Sequence, residues 1–388
     1  MRLGQRLSHR LDRMVERTPE DRERYVDFLR LFSISVVIIW HWSLSVTHWT
    51  GDRFVHPNPI ESVPGGWALT WFLQIVPVFF IVGGYANYAA WESAQRHGRS
   101  WLAFLGARLQ RLLVPVLAFA VLWVLFEVVA HLAVPGYAGI VHYAWMVFTP
   151  MWFIAAYTGV VLLSPLTASL HSRAPGWTMA TLTGAVLLVD AARFTLDLEV
   201  LGALNTGLVW ILIHQSGYFF RDGTLLRLGR FGPAAIAGAG LAALAVMTGL
   251  GPYPRSMVAI PGQEFSNILP TTAAIAAVGL FQLGLIMLAR ERVNRWLRKP
   301  AAWKPVIAGN VVILTVFVWH MTAMLIVLVA YRAAGGVLLA EPTAEWWDQR
   351  WVWLAAPAVV LVMFVAVFGR LETTGLPGLR GRSRTRRR

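Results

Sequence analysis

Apolar residues gather into long runs along this chain, each closed by a short stretch of charged, proline or glycine residues before the next begins. The runs have the length, roughly 17–25 residues, that a helix needs to cross the hydrocarbon layer of a bilayer. Ten such spans are predicted, at 26–47, 66–89, 111–133, 150–170, 177–193, 201–220, 231–250, 266–289, 310–331 and 351–369. Water is absent from that layer, so backbone polar groups must be satisfied within each segment. The expected fold class is an all-α integral membrane protein. A bundle of about ten transmembrane helices fills 26–370 as one domain, with no internal repeat and no separate soluble domain.

Composition agrees. Hydrophobic side chains make up 57% of the chain and charged ones 14%, outside the range of soluble globular domains. Tryptophans near span ends (Trp49, Trp67, Trp145, Trp152, Trp346, Trp347 and Trp351) are placed for an interfacial belt. The net charge of +14 would suit nucleic acid, but its distribution points to membrane orientation instead. With the N-terminus in the cytoplasm, 28 of the 34 Lys and Arg residues fall on cytoplasmic segments and 5 on external ones, while Arg30 lies in the first span. The positive-inside rule then puts both termini in the cytoplasm of a multi-pass cell-membrane protein with no nucleic-acid partner.

Residues 1–25 read as a cytoplasmic amphipathic segment on anionic membrane lipids rather than a signal peptide. Leu3, Leu7, Leu11 and Met14 fall at helical spacing among Arg6, Arg10, Arg13 and Arg17. Thr18 reads as the N-cap of the following helix, with Pro19 at its first position. Residues 371–388 form a basic cytoplasmic tail. With no cysteine in the chain, a thiol nucleophile and a thiolate metal site are excluded, and no metal is expected.

The informative residues are the polar ones within the spans. Arg30 and His41 are eleven residues apart, which on a helix is about 20° from full eclipse and a rise of about 16 Å. They share a face, with Arg30 near the cytoplasmic edge and His41 somewhat beyond the midplane. A buried histidine bridging two helices would fit the same position. Arg108 and Arg111, three apart, stand on one face at the cytoplasmic mouth of the third span. Two guanidiniums so placed can hold phosphates bidentately, although arginines at such an edge also follow from topology alone. In the second span Pro77, Gly83 and Gly84 accompany Tyr85 and Asn87, a composition for close helix packing or for a groove. His320, in the ninth span, lies at a depth similar to His41. Glu127 with His131, and Asp190 with Arg193, read as paired structural groups.

Taken in order, "RYVDFLRLFSISVVIIWH" with its Arg30-x10-His41 spacing, "PVFFIVGGY", "RLQRLLVP", "MWFIAAYTGVVLLSPL" and "TVFVWHMT" resemble the acyltransferase 3 family of integral membrane O-acyltransferases. Ten spans with both ends inside match it too. One departure is Gly83, where the family often has a serine. The resemblance implies transfer of an acyl group, commonly acetyl, from cytoplasmic acyl-CoA to a hydroxyl of a carbohydrate, lipid-linked glycan, cell-wall polymer or metabolite. It implies His41 as the catalytic histidine, Arg108 and Arg111 as holders of the CoA phosphates, and Arg30 along the same approach. His320 and Tyr85 would be auxiliary site residues.

The chemistry fits these residues in its own right. A hydroxyl attacks a thioester slowly unless a base takes its proton, and imidazole titrates near neutrality. The 16 Å rise is comparable to an extended pantetheine arm. The rival reading is a proton-coupled secondary transporter, since intramembrane His, Glu and Asp also form proton relays. Against it stands the absence of an internal repeat or of paired broken helices in corresponding halves.

Overall fold

The computed structural model describes residues 11–20, 22–196, 198–260, 263 and 265–374. Fourteen helices dominate it: α1 (Arg24–Ser43), α2 (Trp67–Leu73), α3 (Val76–Arg96), α4 (Trp101–Ala133), α5 (Ile140–Ala144), α6 (Met151–Arg173), α7 (Pro175–Leu196), α8 (Val200–Arg221), α9 (Gly232–Gly249), α10 (Ala273–Leu297), α11 (Pro300–Val311), α12 (Ile313–Ala333), α13 (Ala344–Asp348) and α14 (Arg350–Thr374). One antiparallel hairpin, β1 (His48–Trp49) with β2 (Phe54–Val55), follows α1. Among the described residues 9 helical segments are long and apolar enough to cross a membrane, and these coincide with nine of the predicted spans. The remaining one, α8, is 22 residues long. Its Asn205, His214 and Gln215 lower its hydropathy, and all three are buried.

Burial separates the helices into an inner and an outer set. The segments Trp67–Arg96, Ala273–Leu297 and Ile313–Ala333 are mostly enclosed, whereas α4, α7, α9 and α14 present their leucines and valines outward. Such an outer surface is stable only against lipid. Glycine sets the closest approach inside. A methyl added at Gly84 would lie 2.0 Å from the His214 carbonyl oxygen, and one at Gly217 would lie 2.1 Å from that of Ile81. Gly84 of the second span is thus explained by packing of α3 on α8.

The second span is broken. Pro77 has no N–H, and its ring excludes the carbonyl four residues back, so α2 ends at Leu73 and α3 begins at Val76. The carbonyls of Trp71, Phe72 and Gln74 accept from the Gln282 side chain of α10 at 3.1, 3.3 and 2.9 Å. The sequence reading places Pro77 in this span without predicting the break.

The start of α1 differs from the sequence reading as well. The Thr18 hydroxyl donates back to the Met14 carbonyl at 2.9 Å, closing the preceding helical turn. The Tyr25 N–H, in the first turn of α1, is met instead by the Asn294 side chain of α10 at 3.1 Å. Leu11 and Val15 pack against the cluster formed by Leu297 of α10 and Ala302, Trp303, Val306 and Ile307 of α11. Leu3, Leu7, Arg6 and Arg10, and the tail beyond 374, lie outside the described residues. Of the expected tryptophan belt, Trp145, Trp347 and Trp351 are exposed, whereas Trp346 is buried under the Arg350 guanidinium.

Candidate active site

His41 stands in the last turn of α1. The neighbouring Trp42 indole N–H donates to the His320 carbonyl at 3.0 Å, fixing α1 against α12 at this height. The two imidazoles stack at 5.2 Å with 13° between planes, and His41 Nδ1 lies 2.9 Å from His320 Nε2. The tautomers follow from the neighbours. His320 Nδ1 faces the Phe317 carbonyl, which can only accept, so that nitrogen carries the proton. Neutral His320 then offers a lone pair at Nε2, and His41 must donate to it from Nδ1. His41 Nε2 is left as an unprotonated base.

His41 lines a cavity of about 460 Å³, within the size range of small-molecule sites. Its wall is mainly aromatic and aliphatic, with Trp40, Phe79, Trp152, Phe153 and Phe317 around it, and the broken segment at Gln74 and Ile75 forms one side. The rim comes from the loops at the end of the bundle where α1 finishes, including Pro57, Asn58, Thr149 and Val258. Asn58 is held by the Trp40 indole at 3.0 Å and by the Ala259 carbonyl at 3.2 Å.

The hairpin adds a second imidazole. Gly51, at φ 109°, permits the turn, and the register pairs His48 with Val55. Thr47 and His56 therefore come next in the ladder, facing one another, with Thr47 Oγ1 and His56 Nδ1 at 2.6 Å. His56 lines the same cavity as His41, the rings meeting edge-on at 6.0 Å. Burial, aided by His41, pushes the His56 imidazole down to about 3, so it is neutral at physiological pH. Its Nε2 is enclosed and meets no partner among the described residues.

The arginines gather at the opposite end, where α1 begins. The Arg108 guanidinium lies within electrostatic range of both Arg111 and Arg30. It donates to the Ala86 carbonyl of α3, while Arg111 is exposed. Glu372 of α14 also feels Arg30, and it closes the N-terminus of α12 by accepting from the Leu314 and Thr315 N–H groups at 3.1 and 3.0 Å. Tyr85 is apart from the cavity. It packs on Phe220 at 5.1 Å, with the Arg221 guanidinium over its ring at 5.6 Å. The structure therefore brings His41 to His320, and Arg30 to Arg108 and Arg111, while Tyr85 lies against Arg221 and not in the lining of the His41 cavity.

A profile described as an acyltransferase domain, that of the acyltransferase 3 family, matches residues 23–370, nearly the whole chain. The chain belongs to the acyltransferase 3 family. No curated protein and no solved structure matches it. It is a multi-pass membrane protein of an acyltransferase family, with the expected motifs on α1, α3, α4, α6 and α12.

Against that family pattern, the departure at Gly83 has a visible counterpart. A methyl there would sit 2.7 Å from Tyr157 Cε2 and 2.9 Å from its hydroxyl, so the Tyr157 side chain occupies the space a serine would need. The other intramembrane polar groups serve the scaffold. Glu127 accepts from the Tyr137 hydroxyl at 2.9 Å and the Ile140 N–H at 2.8 Å. Asp190 accepts from Asn205, Tyr253 and the Ala273 N–H at 2.6, 3.1 and 2.7 Å. Arg193 pairs with Glu199 at 3.0 Å rather than with Asp190. His56 was not singled out in the sequence. The signal available was the hairpin pattern around Gly51 and Asp52, which returns His56 toward the end of α1.

Proposed function

We propose that this protein is a cell-membrane O-acyltransferase. It takes an acyl group, commonly acetyl, from cytoplasmic acyl-CoA and places it on a hydroxyl of a carbohydrate, lipid-linked glycan, cell-wall polymer or metabolite. The observation that carries this reading is the unprotonated Nε2 of His41, oriented by His320 and facing a cavity large enough for a small acceptor. A base so placed removes the hydroxyl proton as the oxygen attacks the thioester carbonyl. His320 holds the tautomer and disperses the charge that His41 acquires, as the third member of a nucleophile–base–orienter arrangement does. The arginine cluster supplies phosphate affinity for the CoA end. Donor and acceptor would then meet from opposite ends of the bundle.

The test uses permeabilised cells of a deletion strain complemented with each variant, given radiolabelled acetyl-CoA. Label entering alkali-labile ester is measured against the uncomplemented strain. His41→Gln should reduce transfer to background while the purified variant keeps its Tm and acetyl-CoA affinity, because a base acts on the transition state and not on ground-state binding. A bridging histidine would behave oppositely, losing Tm first. An active Gln variant removes His41 from the mechanism. A transporter would move solute and leave acetyl-CoA intact.

A further inference from the structure

We propose that His56 is a second catalytic residue, whose Nε2–H donates to the acyl carbonyl oxygen and holds the oxyanion while His41 takes the hydroxyl proton. This rests on the reading of His41 as the base.

The argument begins with Thr47. Its side chain is buried, and its hydroxyl hydrogen needs an acceptor. His56 Nδ1, at 2.6 Å, is that acceptor. Were the proton on Nδ1 instead, the imidazole would donate to the threonine oxygen and the hydroxyl hydrogen would have nowhere to go. The Thr47 O–H therefore donates to Nδ1, and neutral His56 carries its proton at Nε2. That N–H is enclosed and has no partner among the described residues. Leaving a buried donor unsatisfied costs about 1–3 kcal/mol, and such exceptions in a folded protein call for an explanation. Here His56 lines the cavity that holds His41, its ring 6.0 Å from the His41 ring.

The two histidines are opposite in kind. His320 fixes His41 as a base, and Thr47 fixes His56 as a donor. Acyl transfer needs both, since a proton leaves the nucleophile while negative charge grows on the carbonyl oxygen. The step balances without a co-reactant. The acceptor oxygen bonds to the thioester carbon, its proton passes to His41 Nε2, and the carbonyl π pair becomes an oxyanion on His56 Nε2–H. The oxyanion then collapses and the C–S bond breaks. The proton moves from His41 to the departing sulfur, giving an ester and CoA thiol. Because His56 is held neutral by burial, it donates without transferring its own proton.

The same labelled-ester assay in permeabilised cells tests this, with the acetyl-CoA dependence measured for His56→Leu and His56→Gln, and Tm measured on the purified variants. His56→Leu should lower kcat on the order of 10²–10³-fold, the usual effect of removing one oxyanion donor, with KM for acetyl-CoA little changed. His56→Gln keeps an N–H at similar reach and should recover at least about tenfold of that loss. If His56→Leu fails to fold, His56→Asn takes its place: its amide is too short to reach, so its kcat should fall below that of Gln. A folded Leu variant with wild-type kcat overturns the proposal. So does a Gln variant no better than Leu, and so does an effect confined to KM or to Tm. Failure of the underlying reading looks different: an active His41→Gln variant, or no labelled ester from the wild-type chain.

Discussion

At the scale of single residues, the two arginines of "RLQRLLVP" are not equivalent. Arg108 is half-buried, bonded to the Ala86 carbonyl, with Nε enclosed, whereas Arg111 is exposed. Phosphate can meet Arg111 without disturbing the fold, but Arg108 also ties α4 to α3. Arg111→Ala should therefore weaken acetyl-CoA binding about tenfold with Tm unchanged, the loss of one charge-assisted contact. Arg108→Ala should weaken it and lower Tm together. Lys at 111 should restore only part of the affinity, since it lacks the planar fork. Isothermal titration and thermal unfolding of the same purified variants check both, and unchanged affinity in both alanine variants would return the pair to a purely topological role. The sequence made His41 and His320 visible because a titratable group at membrane depth is costly and calls for a reason. It did not make their mutual hydrogen bond visible, since that depends on how α1 and α12 are rotated. Still less did it expose His56, whose placement is created by a hairpin register that one inserted residue would undo.

At the scale of elements, spans were legible because the apolar period is strong and long, and their interruptions were not. Pro77 was evident in the sequence, yet a proline inside a span can kink it, break it or be absorbed by a neighbour. What decides here is Gln282, more than two hundred positions away in the chain, which collects three carbonyls of the broken turn. Its own backbone remains helical within α10. Gln282→Leu leaves those acceptors without their donor in an enclosed region, so the protein should lose on the order of 3 kcal/mol of stability, the cost of a few orphaned buried groups. Unfolding in detergent measures the loss. Because the same turn forms one side of the cavity at Gln74 and Ile75, ester formation should fall more than the fraction unfolded accounts for. A variant as stable as wild type would mean that the turn is held by α2 and α3 alone. The start of α1 teaches the same lesson, since its capping group comes from Asn294 and not from the local Thr18.

At the scale of the whole molecule, the two ends of the bundle differ in chemistry. One end holds Arg30, Arg108, Arg111, Arg221 and Arg290, with carboxylates such as Glu92 and Glu23 paired to the last two. The other is roofed by the hairpin and by the loops that rim the His41 cavity. The asymmetry of 28 basic residues against 5 predicts that the arginine end faces the cytoplasm, because Lys and Arg near span ends resist translocation. Acyl-CoA would then arrive at the basic end, while the cavity faces the outer side. The chain has 0 cysteines, so single cysteines can be introduced without a background and labelled from outside intact cells with an impermeant maleimide. Cysteines at Asp52, Ala138 and Glu345, all exposed at the loop-roofed end, should react. Those at Arg99, Arg230 and Lys299, exposed at the opposite end, should react only after permeabilisation. Labelling of Arg99 but not Asp52 in intact cells would invert the molecule. Labelling at Glu345 with protection at Asp52 would mean that the number of crossings between α1 and α13 is odd. Accessibility of Asp52 matters most for function, because it sits in the hairpin that carries His56, four residues from the site where acceptor and acyl group are proposed to meet.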